Sequence, residues 1–215
     1  MLSALRAKFD RWRLERRWRR LRALGMHIGQ GVNLPASTWI DISHAYLISI
    51  GDWCGFGEEC MLLAHDAQFD EFLNAGRIGR VKIHERSHIG SRCIVLPGVE
   101  IGPRTIVGAH SVVSRTLPPD TVCTGAPAKV VCTLEEYLQR HREKMAARKT
   151  FPYDAYDISV LTPEKRAELV AATADGDAYL TGGWTATLRS AGGMFTTPFD
   201  PRRHPLYKEA APPPA

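Results

Sequence analysis

An aliphatic side chain recurs at every sixth position through the middle of this 215-residue chain. The longest series in phase is Ile83, Ile89, Val95, Ile101, Val107 and Val113. This period does not match the face of an α-helix, which repeats about every 3.6 residues, but it matches a coil in which each hexad supplies one short strand and one turn. The aliphatic side chains then point inward and stack on their equivalents in neighbouring coils. We therefore predict an all-β solenoid, a parallel β-helix.

Two breaks interrupt the six-residue frame and indicate where the chain leaves the coils. Shorter series in phase are Ile28, Leu34 and Ile40, and then Ile50, Phe56 and Leu62. The step from Ile40 to Ile50 is ten residues, and the step from Leu62 to Ile83 is 21. The first break predicts a short bulge and the second predicts a polar loop over residues 64–82. Loops on a rigid scaffold are where binding and catalytic residues concentrate.

The segments that flank the repeats have a different pattern. Residues 2–24 contain no Pro or Gly and predict a helix, and residues 134–148 predict an amphipathic helix. Thr162 and Pro163 predict the start of a further helix over residues 163–172. Beyond about residue 175 the chain is rich in Gly, Thr and Pro, so we expect an extended or partly disordered tail. These patterns divide the chain into a basic helical segment (1–24), a β-helix domain (25–132) and a C-terminal helical extension with a tail (133–215).

The positive charge of the chain is concentrated in its first segment. Residues 1–24 carry nine Lys and Arg against Asp10 and Glu15, a net charge of +7, which leaves −2 for the rest of a chain of total charge +5. Because the basicity belongs to one segment, it gives no indication of a nucleic-acid groove on the main domain, and we predict no nucleic-acid partner. The apolar residues of the segment are Leu5, Phe9, Trp12, Leu14, Trp18 and Leu21. We expect the helix to cap the open end of the coils, with peripheral membrane association as the second interpretation.

The five cysteines are scattered and form no zinc-ligand spacing. Cys54, Cys60 and Cys93 stand at the small position of the hexad, which favours packing in the core over a role as nucleophiles. The composition, with 44% apolar residues, includes no run that could span a bilayer and no signal-peptide core. An odd number of free thiols fits a reducing compartment, so we expect a cytoplasmic protein.

The repeats carry a family resemblance. Two stretches of the sequence resemble the hexapeptide-repeat acyltransferases, and most closely their maltose/galactoside acetyltransferase-like branch. They read IDISHAYLISIGDWCGFGEECMLLAHD and, further on, IGSRCIVLPGVEIGPRTIVGAHSVVSRTLPPDTVCTGAPAKVV. The resemblance extends over residues 28–131. It implies a left-handed β-helix, a homotrimer with active sites at subunit interfaces, and acetyl-CoA as co-substrate.

His65 is the central residue of the site that the resemblance implies, where it is the catalytic base. An imidazole that titrates near neutrality is suited to remove the proton of a sugar hydroxyl or amine as that group attacks a thioester. Asp66 follows His65 and is either a hydrogen-bond partner of the acceptor or a turn residue. Trp39 and Asp41, beside the first break, are further candidates for the acceptor site.

The donor residues are also carried over from the resemblance. The backbone N–H of Ser91 would face the thioester carbonyl, where a donor stabilises the oxyanion of the tetrahedral intermediate. Ala109, one 18-residue coil further on, would border the pantetheine arm. Ser114, Arg115 and Lys129 would bind the CoA phosphates, for which cationic side chains are needed.

Three departures from the family pattern leave the acceptor open. His88 stands where an aromatic residue is common, His110 replaces a common Gly, and the polar acceptor residues of the sugar-acetylating branch have no clear match. The predicted function is therefore acetyl transfer to a hydroxyl or amine of a sugar, including a nucleotide-linked sugar or a polysaccharide precursor. We expect direct transfer without a covalent acyl-enzyme, because no Ser-His-Asp or Cys-His arrangement is visible.

Two other interpretations compete with acyl transfer. The γ-type carbonic anhydrases share this fold and hold zinc with three histidines across a trimer interface, and this chain has His65, His84, His88 and His110. The spacing does not match that family, and the G-x-P-A-K closure favours CoA, so we expect no resident metal. The non-enzymatic alternative is a β-helical scaffold, against which His65 at the loop start argues.

Overall fold

The computed structural model describes residues 2–183, without the side chains of residues 2–11 and 14. The predicted stripe residues Leu5, Phe9 and Leu14 and the predicted tail over 184–215 therefore lie outside what is described. Residues 2–134 belong to one compact unit and residues 135–183 to a second. No helix within residues 2–183 is long and apolar enough to cross a membrane.

The described residues of the first unit form a long helix, short strands and two short helical segments. Helix α1 is Leu2–Ala23, a 3₁₀ segment is Ile42–Leu47, and helix α2 is Asp70–Leu73. The strands are β1 His27–Ile28, β2 Trp39–Ile40, β3 Ile48–Ile50, β4 Gly55–Phe56, β5 Met61–Leu62, β6 His65–Asp66, β7 Arg77–Ile78, β8 Val81–Ile83, β9 His88–Ile89, β10 Ile94–Val95, β11 Glu100–Ile101, β12 Ile106–Val107, β13 Val112–Val113, β14 Thr121–Thr124 and β15 Lys129–Thr133.

Most of these strands form three sheets that the chain visits in turn. The sheet orders are β1-β3-β8-β11, β13-β10-β5-β2 and β15-β14-β12-β9-β4, and every pairing is parallel except that of β14 with β15. From β8 to β13 the chain returns to the same sheet after 18 residues, so that Ile83 pairs with Ile101, and Val95 with Val113. This confirms the predicted coil of three hexads.

The hexad positions form the core of the unit. The six aliphatic residues of the long series are all at most 2% exposed. Cys54, Cys60, Cys93 and Cys123 are buried among them, and burial raises the pKa of the Cys54 thiol to about 12. Buried thiols with raised pKa values are poor nucleophiles, which agrees with their predicted packing role.

Helix α1 covers the first coil, as the capping interpretation predicted. Leu21 is 3% exposed and Trp18 packs against the core. Arg17 Nη1 donates to the carbonyl of Pro35 at 2.8 Å, and Arg22 Nη2 donates to that of Ile28 at 3.0 Å. Backbone groups at the end of the coils are thereby satisfied by the helix.

The second unit contains three helices and a two-stranded sheet among its described residues. They are α3 Leu134–Ala146, β16 Thr150–Pro152, α4 Tyr153–Tyr156, α5 Pro163–Ala172 and β17 Tyr179–Thr181, with β16 parallel to β17. Helix α3 ends two residues before the predicted end at residue 148. Helix α5 begins as predicted, because the side chain of Thr162 accepts a hydrogen bond from the backbone N–H of Lys165.

Candidate active site

The two breaks in the hexad frame meet in adjacent coils. Strands β2 and β5 are neighbours in one sheet, with Ile40 beside Leu62. The 3₁₀ segment Ile42–Leu47 follows β2, and the polar loop follows β5. As predicted, the loop leaves the coils, and within it β6 pairs antiparallel with β7. The sheet register therefore brings Asp41, which follows β2, close to His65 at the start of the loop.

Asp41 and His65 are joined by a short hydrogen bond. The distance from His65 Nδ1 to Asp41 Oδ2 is 2.5 Å. The carboxylate is 1% exposed and accepts two further hydrogen bonds, from Ser43 Oγ to Oδ1 at 2.9 Å and from the Ala64 N–H to Oδ2 at 3.3 Å. The His65 side chain is 38% exposed. The prediction that Asp41 lines the acceptor site is corrected, because the residue is buried beneath His65 and does not face solvent.

The electrostatics of the pair favour an ionised carboxylate. Burial acts to raise the pKa of Asp41, but the hydrogen bonds from His65 and Ser43, the charge of His65 and the Ala64 N–H together hold that pKa below its ordinary value. A carboxylate that accepts the Nδ1 proton fixes the tautomer of the neutral imidazole. Nε2 then carries the lone pair, on the exposed side of the ring.

His44 is a member of this cluster that the sequence analysis missed. Its ring lies 4.9 Å from the ring of His65 between centroids, and its Nδ1 is 3.6 Å from Asp41 Oδ2. This Nδ1 atom is buried and has no hydrogen-bond partner among the described residues. Asp41, His44 and His65 form the one group of three potential metal ligands in residues 2–183, with ligand atoms within 4.8 Å of one another. The spacing Asp-x-x-His in the ten-residue break is the signal that could have found it.

The other predicted acceptor residues lie near the cluster along the chain. Trp39, in β2, is 47% exposed. Asp66, in β6, is partly exposed and its Oδ1 accepts a hydrogen bond from the Gln68 N–H at 3.0 Å. A hydrogen bond of this kind is typical of a turn residue, which is one of the two roles predicted for Asp66.

An open groove of about 410 Å³ runs across β4, β9 and β12, a different sheet from that of β2 and β5. Its walls include Gly57, Gly90, Gly108, Ala109 and His88. A Cβ added to Gly90 would lie 2.4 Å from the backbone nitrogen of Ala109, so the coils approach here too closely for a side chain. Burial lowers the pKa of His88, which keeps this imidazole neutral in the groove.

The predicted donor residues are divided between two sheets. Ser91 and Ala109 hold the same position in successive coils after β9 and β12, and Lys129 lies in β15 of the same sheet. Ser114 and Arg115 follow β13, which belongs to the sheet of β2 and β5. Ala109 lines the groove and Ser91 lies next to the groove residue Gly57, but one chain does not present all five residues on one face.

The histidines of the zinc interpretation are not grouped within one chain. His84 Nε2 lies 3.2 Å from Glu100 Oε2, and His88 lines the groove. Neither these residues nor His110 joins His65 in a potential ligand group among residues 2–183.

Comparison with known proteins agrees with the repeat. The family described as bacterial transferase hexapeptide (six repeats) matches residues 80–115. WcaF of Escherichia coli, named as a colanic acid biosynthesis acetyltransferase, is 31% identical over 140 residues, which cover 54% of this chain and 74% of WcaF. YvoF of Bacillus subtilis, named as an acetyltransferase, is 31% identical over 54% of this chain and 66% of its own length. The galactoside O-acetyltransferase of Escherichia coli is 29% identical over 50% of this chain and 54% of the enzyme.

Solved structures with related folds include complexes with the donor. A hexapeptide-repeat acetyltransferase of Vibrio cholerae, complexed with acetyl coenzyme A, is 22% identical, with a TM-score of 0.44 over 61% of this chain and 88% of that protein. A galactoside acetyltransferase in complex with coenzyme A is 20% identical, with a TM-score of 0.42 over 52% of this chain and 67% of that protein. The sequence match to WcaF, with the family match over the hexads, shows that the chain belongs to the hexapeptide-repeat acetyltransferase family.

Proposed function

We propose that the protein transfers an acetyl group from acetyl-CoA to a hydroxyl or amine of a sugar, with His65 as the general base. The observation that carries this proposal is the hydrogen bond of 2.5 Å between His65 Nδ1 and the buried carboxylate of Asp41. That bond leaves Nε2 free to accept a proton on the exposed side of the ring. Family membership supports the reaction class independently of this geometry.

The reaction runs as a direct transfer. His65 Nε2 takes the proton of the acceptor hydroxyl or amine while the acceptor atom attacks the carbonyl carbon of the thioester. Asp41 stabilises the imidazolium that forms, and the backbone N–H of Ser91 stabilises the oxyanion. The C–S bond then breaks, and the leaving CoA sulfur takes the proton from His65. No acyl-enzyme forms, which is in keeping with the burial of Cys54, Cys60 and Cys93.

The groove across β4, β9 and β12 is the proposed binding site of the pantetheine arm. Its glycine floor leaves backbone exposed to a narrow ligand, and Ala109 lines it. Arg115 and Lys129 are exposed and stand in no ion pair among the described residues, so both are available for the CoA phosphates, and Ser114 directly precedes Arg115. Membership of the acetyltransferase family supports acetyl-CoA as this donor.

The site is proposed to be completed in a homotrimer of left-handed coils. In one chain, His65 and the groove belong to different sheets. A neighbouring copy related by a threefold axis can place its groove against the His65 of the first chain, because closed rotational symmetry repeats the same contact three times. The acceptor then enters between Trp39, Asp66 and His65.

A sugar acceptor is favoured by the names of the relatives. WcaF is named for colanic acid biosynthesis and a second relative for galactosides, so we propose a polysaccharide precursor, free or nucleotide-linked, as the acceptor. The test is release of the CoA thiol from acetyl-CoA with a panel of sugars, nucleotide sugars and amino sugars. We expect thiol release that depends on one class of acceptor, with mass spectrometry showing one added acetyl group. A panel without any acceptor-dependent release would contradict the proposal.

A further inference from the structure

We propose that Asp41, His44 and His65 form an inhibitory binding site for a divalent transition-metal ion, with Zn²⁺ as the preferred ion. The three side chains offer one carboxylate oxygen and two imidazole nitrogens, all within 4.8 Å of one another. His44 Nδ1 is buried, points at the shared carboxylate oxygen, and has no hydrogen-bond partner among the described residues. Two nitrogens and one carboxylate with an open fourth position are a common ligand set for zinc.

The distances are close to those that a bound zinc ion requires. Zinc bonds of about 2.0–2.1 Å in a tetrahedron separate the ligand atoms by about 3.4 Å. Asp41 Oδ2 and His44 Nδ1 are 3.6 Å apart and already meet this condition. His65 Nδ1 is 2.5 Å from the same oxygen, a distance set by the hydrogen bond between them. For a metal ion to replace that proton, His65 Nδ1 and Asp41 Oδ2 must move apart by roughly 0.9 Å.

The surroundings suit a metal ion in two further ways. Ser43 Oγ and the Ala64 N–H hold the carboxylate in place, as outer hydrogen bonds do around metal ligands. The side chains of His44 and His65 are 24% and 38% exposed, which gives an ion a route of entry and a place for a water ligand. Imidazole nitrogens favour Zn²⁺, Ni²⁺ and Cu²⁺ over Mg²⁺ and Ca²⁺, which prefer oxygen ligands.

A metal ion at this site would inactivate His65 as a base, because it would change the tautomer of the imidazole. This consequence rests on the proposed function. A metal ion on Nδ1 of neutral His65 moves the ring proton to Nε2, so the ring keeps one proton and none is released. Nε2 then has no lone pair to accept the proton of the acceptor. The metal ion and the general-base tautomer therefore exclude each other. The site shares only His65 with the four histidines of the zinc-enzyme interpretation.

The first experiment measures binding without reference to activity. Untagged full-length protein is titrated with Zn²⁺ in competition with a chromophoric chelator, and Co²⁺ is used as a spectroscopic probe. We expect one ion per chain and the intense visible absorption of four-coordinate Co²⁺. His44→Gln should weaken Zn²⁺ binding at least about tenfold, whereas His27→Gln, at an exposed histidine outside the cluster, should not change it. Absence of binding at micromolar Zn²⁺, or equal binding by His44→Gln, would overturn the proposal.

The second experiment measures inhibition as a ratio within each variant. The rate of thiol release is compared with and without Zn²⁺ for the unaltered protein, for His44→Gln and for His27→Gln, and a chelator is then added. We expect reversible inhibition of the unaltered protein and of His27→Gln, and at least about tenfold more Zn²⁺ needed to inhibit His44→Gln. Equal sensitivity of all three would place the inhibitory ion elsewhere. If the protein releases no thiol with any acceptor, the proposed function fails while the binding experiment still decides the metal site.

Discussion

The coils from β8 to β13 and the segment from β2 to β8 differ in how regularly the hexads repeat. In the former, an aliphatic residue is buried at every sixth position and the chain returns to the same sheet after 18 residues. In the latter, the frame breaks after Ile40 and after Leu62, and the breaks contain Asp41, His44 and His65. The regular coils supply a rigid scaffold with a groove of glycine backbone, and the interruptions supply the titratable side chains.

This contrast explains why neither region would suffice for acyl transfer. A regular hexad points its side chains into the core or out from a flat sheet, and it offers no place for a buried carboxylate under an exposed imidazole. The breaks supply that geometry but contain exposed apolar residues such as Phe72 and Ile78, which add little to a core. Stability should therefore respond to substitutions in the regular coils, and turnover to substitutions in the breaks.

The largest effect is expected from the core of the regular coils. Ile101 is fully buried in β11, and Ile101→Ala removes three buried carbons, which should lower the free energy of unfolding by about 2–5 kcal/mol. Ile78→Ala changes the same residue type in the loop, where the side chain is 61% exposed, and should change that free energy by no more than about 0.5 kcal/mol. Denaturant titrations of both variants test the contrast, and similar losses would contradict it.

The catalytic part of the comparison is tested by His65→Ala. Loss of the general base should lower kcat at least about hundredfold, equivalent to about 2.7 kcal/mol in the activation barrier. The side chain is 38% exposed and lies outside the coils, so the melting temperature should stay close to that of the unaltered protein. His27→Ala, at an exposed histidine in β1, is the matched control for turnover. Near-normal turnover by His65→Ala would remove the proposed mechanism.

The regular coils could be predicted from the sequence because a local rule governs them. The position of an aliphatic residue in the hexad, such as that of Ile89 or Val107, predicts that its side chain is buried. The positions of the breaks could be predicted in the same way, but the contacts between the residues within them could not. The contact of His65 with Asp41 joins residues 24 positions apart and depends on the register of β2 beside β5, which no local pattern encodes. The contact of Asp41 with His65 could therefore not be predicted from the sequence, whereas the spacing Asp-x-x-His is a local signal for His44.

The proposed sharing of one site between two neighbouring chains is tested by mixing two inactive variants. His65→Ala lacks the base, and Ala109→Trp should block the groove, since Ala109 lines it. If each site combines His65 of one chain with the groove of a neighbour, random assortment in equal mixtures gives intact partners at about a quarter of the sites. We expect recovery of about that fraction of thiol release after the subunits are dissociated and reassembled. No recovery from trimers that native mass spectrometry shows to be mixed would mean that both parts of the site belong to one chain.

A smaller effect is expected at the exposed cations. Arg115→Ala and Lys129→Ala should each raise the apparent KM for acetyl-CoA several-fold with little change in kcat, because these residues are proposed to bind the donor equally in the ground and transition states. Steady-state kinetics at varied donor and fixed acceptor concentration measure this. Arg86→Ala, on a turn of the regular coils, is a control for loss of positive charge. A change confined to the KM of the acceptor would contradict the proposed path of CoA.

The smallest effect is expected in the pH dependence of stability, and it isolates the carboxylate in the break. Burial raises the pKa of Asp41, but the hydrogen bonds from His65 and Ser43 and the charge of His65 outweigh it, so the folded pKa lies below the ordinary value of 3.8. A group with a depressed folded pKa stabilises the fold above its unfolded pKa and loses that contribution as the pH falls through the folded pKa. The stability that the Asp41 charge contributes should therefore be present above about pH 5 and be lost as the pH falls below the ordinary pKa, so the difference in unfolding free energy between the unaltered protein and Asp41→Asn should shrink over that range. Asp66→Asn, in the loop that follows β5, serves as the control for loss of a neighbouring carboxylate. Denaturant titrations at several pH values measure both differences, and a difference for Asp41→Asn that grows on acidification would mean that the carboxylate is held protonated, which would remove its role as the orienting partner of His65.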